Sequence, residues 1–165
     1  RVAHNPGSNM KLASGIAPVP RLLKEDVCVA LGTDGASSNN NLDMLEEVNL
    51  AAMLHKVASY DPEAVPAREA LCMGTVYGAK AVGLSEVGSL KEGYKADIVL
   101  FDMNSPAWVP RHDPVSLLVY SANAASVDTV IVDGRILMEK RELLTLDEER
   151  ILFETKRRVA HLLEA

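Results

Sequence analysis

The segment Val27–Asn41, VCVALGTDGASSNNN, constrains this chain more than any other. Its apolar run, Val27–Leu31, stops at Gly32, and a single carboxylate, Asp34, follows at once. A polar loop, Gly35–Asn41, comes next, and helical periodicity begins at Leu42. The pattern predicts a buried strand that delivers one acid to the loop at its C-terminal end. Parallel α/β folds place their chemistry at that end of their strands. Two readings of Asp34 stand side by side here. It is an acid capping a turn, as G-x-D-G contexts often use one, or it is a metal ligand that also carries a proton. Gly32 and Gly35 suit the second reading, because residues without a Cβ let backbone and ligand approach closely.

The flanking sequence supplies the frame for that strand. Arg1–His4 reads as a strand end, Asn5–Gly7 as a turn, Ser8–Gly15 as a polar loop and Pro18–Lys24 as a short helix. Together with Val27–Leu31 this is a βαβ unit, for which right-handed parallel pairing is expected. Asn41 or Asp43 caps the next helix, which runs to about Val57 with Leu42, Leu45, Val48, Ala52 and His55 at helical spacing. Ala67–Val82 reads as one further helix, with Leu71, Thr75, Gly78, Ala79 and Val82 as its packing stripe and Gly83 as its terminator.

Beyond Gly83 the hydrophobic period changes from helical to alternating. A turn at Glu92-Gly93 leads into a strand within Lys95–Asp102, and Asn104–Asp113 is irregular. Val115–Tyr120 is apolar and of either type. Asp133-Gly134, between Val127–Val132 and Ile136–Glu139, is a strong hairpin signal. Asp147 caps a final helix, Glu148–Leu163, whose Ile151, Val159 and Leu162 are expected to face inward. Three strands pairing only with one another make a poor domain, so strands from elsewhere are expected to join them.

Composition narrows the function classes. At 165 residues the chain is one domain or parts of two. Apolar content of 48 % with only 4 % aromatics implies a core of Ala, Val and Leu. A net charge of −6 argues against a nucleic-acid or anionic-membrane surface, which needs clustered cations. No apolar run approaches the roughly 18 residues of a membrane helix. Cys28 and Cys72, both in apolar contexts, are expected to be buried thiols in a reducing cytoplasm, with a structural disulfide as the alternative. The opening RVAHNPGSNM has neither an initiator Met nor a signal peptide and reads as the interior of a longer protein.

One acid does not make a metal site, since catalytic zinc takes roughly three or more protein ligands. His4, His55, His112 and His161 form no H-x-H or H-x-x-x-H pair. His55 and His161 read as solvated or satisfied helix histidines, and His112 as a polar loop contact. His4, at a strand end like Asp34, is expected to make a structural hydrogen bond. Gly32–Gly35 is too short for a phosphate-cradling loop and lacks its Lys. Ser37 and Ser38 lack a G-x-S-x-G elbow, which argues against a serine nucleophile.

Several segments, in order, nevertheless resemble one family. They are HNPGSNMKLASGIAPV (His4–Val19), LGTDGASSNNNLDML (Leu31–Leu45), A-x-x-M-G-T-x-x-G-A-K-A-x-G-L (Ala70–Leu84) and GSLKEGYKADIVLFD (Gly88–Asp102). HDPVSLLVYSA (His112–Ala122) and VIVDGRIL (Val130–Leu137) complete the set. The chain resembles the C-terminal portion of a metal-dependent amidohydrolase. Within that superfamily it resembles the branch that holds the methylthioadenosine/S-adenosylhomocysteine deaminases and the triazine chlorohydrolase-like enzymes.

That resemblance implies an α/β fold: the end of a (β/α)8 barrel, strands seven and eight with their helices, over residues 1–83. Part of a composite β-sandwich would follow over 84–144 and a C-terminal helix over 145–165. His4 would close strand seven and Asp34 strand eight. In the family, that Asp ligates a single zinc or iron and shuttles the proton of the attacking hydroxide. The resemblance carries this role onto Asp34, and has His4, Ser8 and Asn9 line the pocket floor or brace it. The implied reaction removes the amino group from C6 of an adenine nucleoside, with guanine, a triazine or a related heterocycle as alternatives. The remaining metal ligands, on the N-terminal half of the barrel, are absent. The isolated chain is therefore expected to be inactive and to expose apolar surface. That missing half, in the same or a complementary chain, and a homo-oligomer are its expected partners. The rival reading is a non-catalytic fragment stabilised by such a chain.

Overall fold

A computed structural model describes residues 1–163. Glu164 and Ala165, the end of the predicted C-terminal helix, lie outside the described residues. The fold is α/β. Strand β1 (Val2–His4) and strand β2 (Val29–Leu31) pair in parallel, with His4 opposite Leu31. The His4 carbonyl accepts the Gly32 N–H at 3.1 Å, so both strand ends are tied at the point where the Asp34 loop departs. Between them run α1 (Pro6–Lys11) and α2 (Val19–Lys24).

Helix α1 replaces the first half of the predicted polar loop Ser8–Gly15. The dipeptide Pro6-Gly7 reads as a turn in sequence. In the first helical turn, however, proline loses nothing, since its missing N–H would be unpaired there anyway.

Helix α3 (Met44–Ser59) begins at Asp43, whose carboxylate accepts the Leu45 and Glu46 amides, and ends at Tyr60 in the left-handed region. The predicted helix Ala67–Val82 is two helices, α4 (Ala67–Gly74) and α5 (Val76–Val82). They break at Thr75, with φ −128° and ψ −89°, where the side-chain hydroxyl donates back to the Leu71 carbonyl at 2.7 Å. The break changes which residues face inward. Ala70, Met73 and Ala79 are buried, whereas Thr75 and Val82 are exposed. Gly83 ends α5 at φ +83°, as its position predicts.

The core gathers Val19, Val29, Leu31, Val48, Ala51, Ala52, Val65, Ala70, Met73 and Val119. Val119 comes from α6 (Pro114–Tyr120), which resolves the ambiguous apolar run as a helix capped by Asp113. Asn49 on α3 fixes α6 by donating to the Val119 carbonyl at 2.9 Å.

The remaining strands form one antiparallel sheet in chain order: β3 (Ile98–Phe101), β4 (Val127–Val132), β5 (Arg135–Glu139) and β6 (Glu142–Leu143). Asp133 and Gly134 both have positive φ, the primed turn expected of a two-residue hairpin. Strand β6 is too short to register as a sequence pattern.

Helix α7 (Glu148–Leu163) departs most from expectation. Ile151, Val159 and Leu162 are exposed, and no residue of the helix is buried. Its apolar stripe has nothing in residues 1–163 to pack on. Cys28 and Cys72 are free and only partly buried. No helix among the described residues is long and apolar enough to cross a membrane.

Candidate active site at two parallel strand ends

Asp34 lies three residues past β2, at φ +61°. This left-handed conformation is one that few residues other than Gly, Asn and Asp adopt readily. It turns the carboxylate back onto its own loop. Oδ1 accepts the Gly35 N–H at 2.8 Å. Oδ2 accepts the Ser8 hydroxyl from α1 at 2.8 Å, and the Ser38 hydroxyl from the loop also lies at 2.8 Å. Ser38 Oγ is 3.1 Å from the Gly35 carbonyl as well, so its single proton is shared between two acceptors. The Ser8 hydroxyl, then Ser38, then the Gly35 amide hold the Asp34 carboxyl below the usual carboxylate range. Asp34 is therefore anionic at neutral pH and stays so into mild acid.

The other predicted site residues divide. Ser8 is buried and bonded to Asp34. His4 is only 2 % exposed and lies behind the strand end, its Nε2 3.1 Å from Nε2 of His55 on α3. One imidazole must donate and the other accept, which requires the accepting ring to be neutral, and burial disfavours a charge on either ring. Desolvation, with the facing His55 second, holds His4 at about 4. The predicted structural hydrogen bond of His4 is thus present, and its partner is the helix histidine read from sequence as unremarkable. Asn9 is half-buried on α1, and its side chain makes no hydrogen bond among the described residues.

Sequence reasoning missed the support behind the loop. It weighed Ser38 only as a nucleophile and found no role for Asn39 or Glu47. Glu47 accepts the Gly7 N–H at 3.0 Å and the Asn39 side-chain amide at 2.7 Å. Asn39 Oδ1 in turn accepts the Leu42 N–H at 3.1 Å. A signal existed: Glu47, Ala51 and His55 recur every four residues, which places two polar groups on the face of α3 that packs inward.

As a metal site the donor set is incomplete. Asp34 offers a charged, solvent-facing carboxylate, the hard oxygen donor that divalent cations accept. Among the described residues no three His, Cys, Asp or Glu side chains come together to hold an ion. Asp34 therefore supplies one suitable donor, and a metal site built on it would need its other donors from elsewhere.

Comparison with known proteins accords with this partial geometry. The chain is 60 % identical over 163 residues to a 5-methylthioadenosine/S-adenosylhomocysteine deaminase of Dictyoglomus thermophilum, covering 99 % of this chain and 38 % of that protein. Among solved structures it resembles an adenosine deaminase from Xanthomonas campestris with bound zinc. The TM-score is 0.96 at 35 % identity, over 99 % of this chain and 37 % of that one. It also resembles a zinc-complexed atrazine chlorohydrolase from Arthrobacter aurescens. Here the TM-score is 0.86 at 33 % identity, over 94 % of this chain and 35 % of that one. The chain thus spans little more than a third of the length of the relatives it matches. The Amidohydrolase family model matches residues 1–137. This chain belongs to the amidohydrolase family.

Proposed function

We propose that residues 1–83 form the last two strands, seven and eight, of a (β/α)8 barrel, and that Asp34 is the metal-binding and proton-carrying acid of a deaminase. Residues 84–144 then contribute part of a composite β-sandwich, and the last helix follows it. The observation that carries the reading is the Asp34 carboxylate itself. It stands at a strand end, is held anionic by three donors, and has no cation of its own among the described residues.

The substrate class follows from the relatives. The 60 % match is named for two adenosine derivatives, whereas the chlorohydrolase stands at 33 %. Hydrolytic deamination replaces the ring C–NH2 bond with C–OH, which settles as the keto tautomer, and releases ammonia. A divalent cation, zinc or iron, supplies the acidification of a water to a pKa of about 7. Asp34 accepts the proton of the attacking water and returns it to the departing nitrogen. A carboxylate with a lowered pKa is a weak base, so such a transfer needs an acidified water to run at neutral pH. Ser8 and Ser38 orient the carboxylate, and His4 braces the strand end from behind.

The test is Asp34→Asn in the complete protein, assayed with methylthioadenosine, S-adenosylhomocysteine, guanine and a triazine. Turnover of the adenosine derivatives by the parent, and a loss of about a thousandfold or more in the variant, is expected. A normal rate in Asp34→Asn overturns the role of Asp34. A parent that prefers guanine or a triazine overturns the substrate class.

A further inference from the structure

Glu47 is a buried acid that the reaction above does not use. It is 1 % exposed, on the inward face of α3, and no Lys, Arg or His forms an ion pair with it among the described residues. A carboxylate buried without a cation is costly, and an apolar side chain in its place would spare that cost. The carboxylate is instead threaded between two segments. A Cβ built on Gly7 would sit 2.2 Å from Glu47 Oε1, so the first turn of α1 closes onto the acid only because residue 7 has no side chain. The partners are placed with a common consequence. Gly7 immediately precedes Ser8, and Asn39 immediately follows Ser38. These are the two serines whose hydroxyls meet Asp34 Oδ2.

We infer that Glu47 is a positioning residue: by bonding Gly7 and Asn39 at once, its carboxylate holds Ser8 and Ser38 in register so that both hydroxyls converge on Asp34. The inference rests on the reading of Asp34 as the reacting carboxylate. Glu47 does not touch Asp34. It acts through two short backbone steps, one on each side of the site.

The hydrogen-bond polarity of the network supplies a sharp test in the complete, zinc-loaded protein. Both Glu47 oxygens accept, one from Gly7 and one from Asn39, while Asn39 donates to Glu47 and accepts from Leu42. Glu47→Gln sets an amide NH2 against the Asn39 NH2, and Asn39→Asp sets two carboxylates face to face. The double variant, Glu47→Gln with Asn39→Asp, reverses the pair. Its new amide oxygen accepts from Gly7, its new amide NH2 donates to the aspartate, and the aspartate still accepts from Leu42.

Each single variant is expected to lower kcat by roughly 10- to 100-fold, the scale of a misplaced reacting group, with KM within about twofold. Each is also expected to lose zinc faster to a chelator. The double variant is expected to recover kcat to within about threefold of the parent, together with parental zinc retention. A wild-type kcat in Glu47→Gln, or a double variant no better than the singles, overturns the inference. Should either single variant fail to fold, the double variant alone decides, since it is expected to fold and turn over. These results separate from the reading beneath them. A failed exchange beside an inactive Asp34→Asn removes only Glu47, whereas a fully active Asp34→Asn removes the reading itself.

Discussion

The region around Asp34 and the region beyond Gly83 are built to different standards. In the first, α3, α4 and α5 pack on β2, and α6 packs on α3 and α4. Met73 and Val119 are fully buried, and Glu47, Asn39, Ser8 and His55 all find partners. In the second, β3 and β5 leave Val99, Leu100 and Ile136 open to solvent, and α7 leaves Phe153 65 % and Leu162 74 % exposed. Apolar side chains set at alternating and helical spacing, yet uncovered, are the mark of surfaces made to be buried. The contrast teaches that the first region has a buried core behind Asp34 but offers only that one acid toward a metal site. The second has ordered elements whose apolar faces have no cover among the described residues. Under the proposed function, protein outside these residues meets both needs.

The largest expected effect lies in the first core. Met73→Ala should lower the stability of the complete protein by about 2–5 kcal/mol, read from its unfolding transition, because nothing there can collapse into the space. A cost near zero would erase the distinction between the two regions.

Next comes the imidazole pair. Desolvation, then the charge of the facing His55, lowers His4 from 6.5 to about 4, and desolvation lowers His55 as well. Between those values the unfolded chain binds protons that the folded chain refuses. Stability therefore falls as pH drops from about 6.5 toward 4, by up to about 3 kcal/mol for His4. The thermal midpoint should track that fall and do so less steeply in His55→Gln. Identical pH profiles would show that the pair does not carry it.

Asp43→Ala, which removes the cap of α3, should cost about 1 kcal/mol. The smallest effect belongs to the second region. In the 165-residue chain by itself, Phe153→Ser should change stability by less than about 0.5 kcal/mol and reduce self-association. In the complete protein the same change should cost more, if that face is covered there. Equal costs in both settings would mean that α7 is solvent-exposed by design.

The sequence was informative wherever pattern and local chemistry agreed. The apolar run before Gly32, the Asp-Gly hairpin, the Gly83 terminator and the Asp43 cap all sit where their residues predict. So does Asp34, because a lone acid after a buried strand is visible without contacts. What stayed hidden depends on partners distant in the chain. Ser8 meets Asp34 across 26 positions, Glu47 meets Gly7 across 40, and His55 meets His4 across 51. No local pattern marks such pairs. The break at Thr75 escaped because a helical stripe survives a one-residue kink in sequence but not in space. The inward face assigned to α7 failed for the opposite reason, since periodicity reports that a face is apolar and not whether its cover is present.

The most direct test is anomalous diffraction at the zinc edge from crystals of the complete, active protein. A metal peak about 2.0–2.2 Å from an Asp34 carboxylate oxygen, with its other ligands from outside residues 1–165, is the predicted result. An active enzyme whose metal peak lies away from that carboxylate would contradict it.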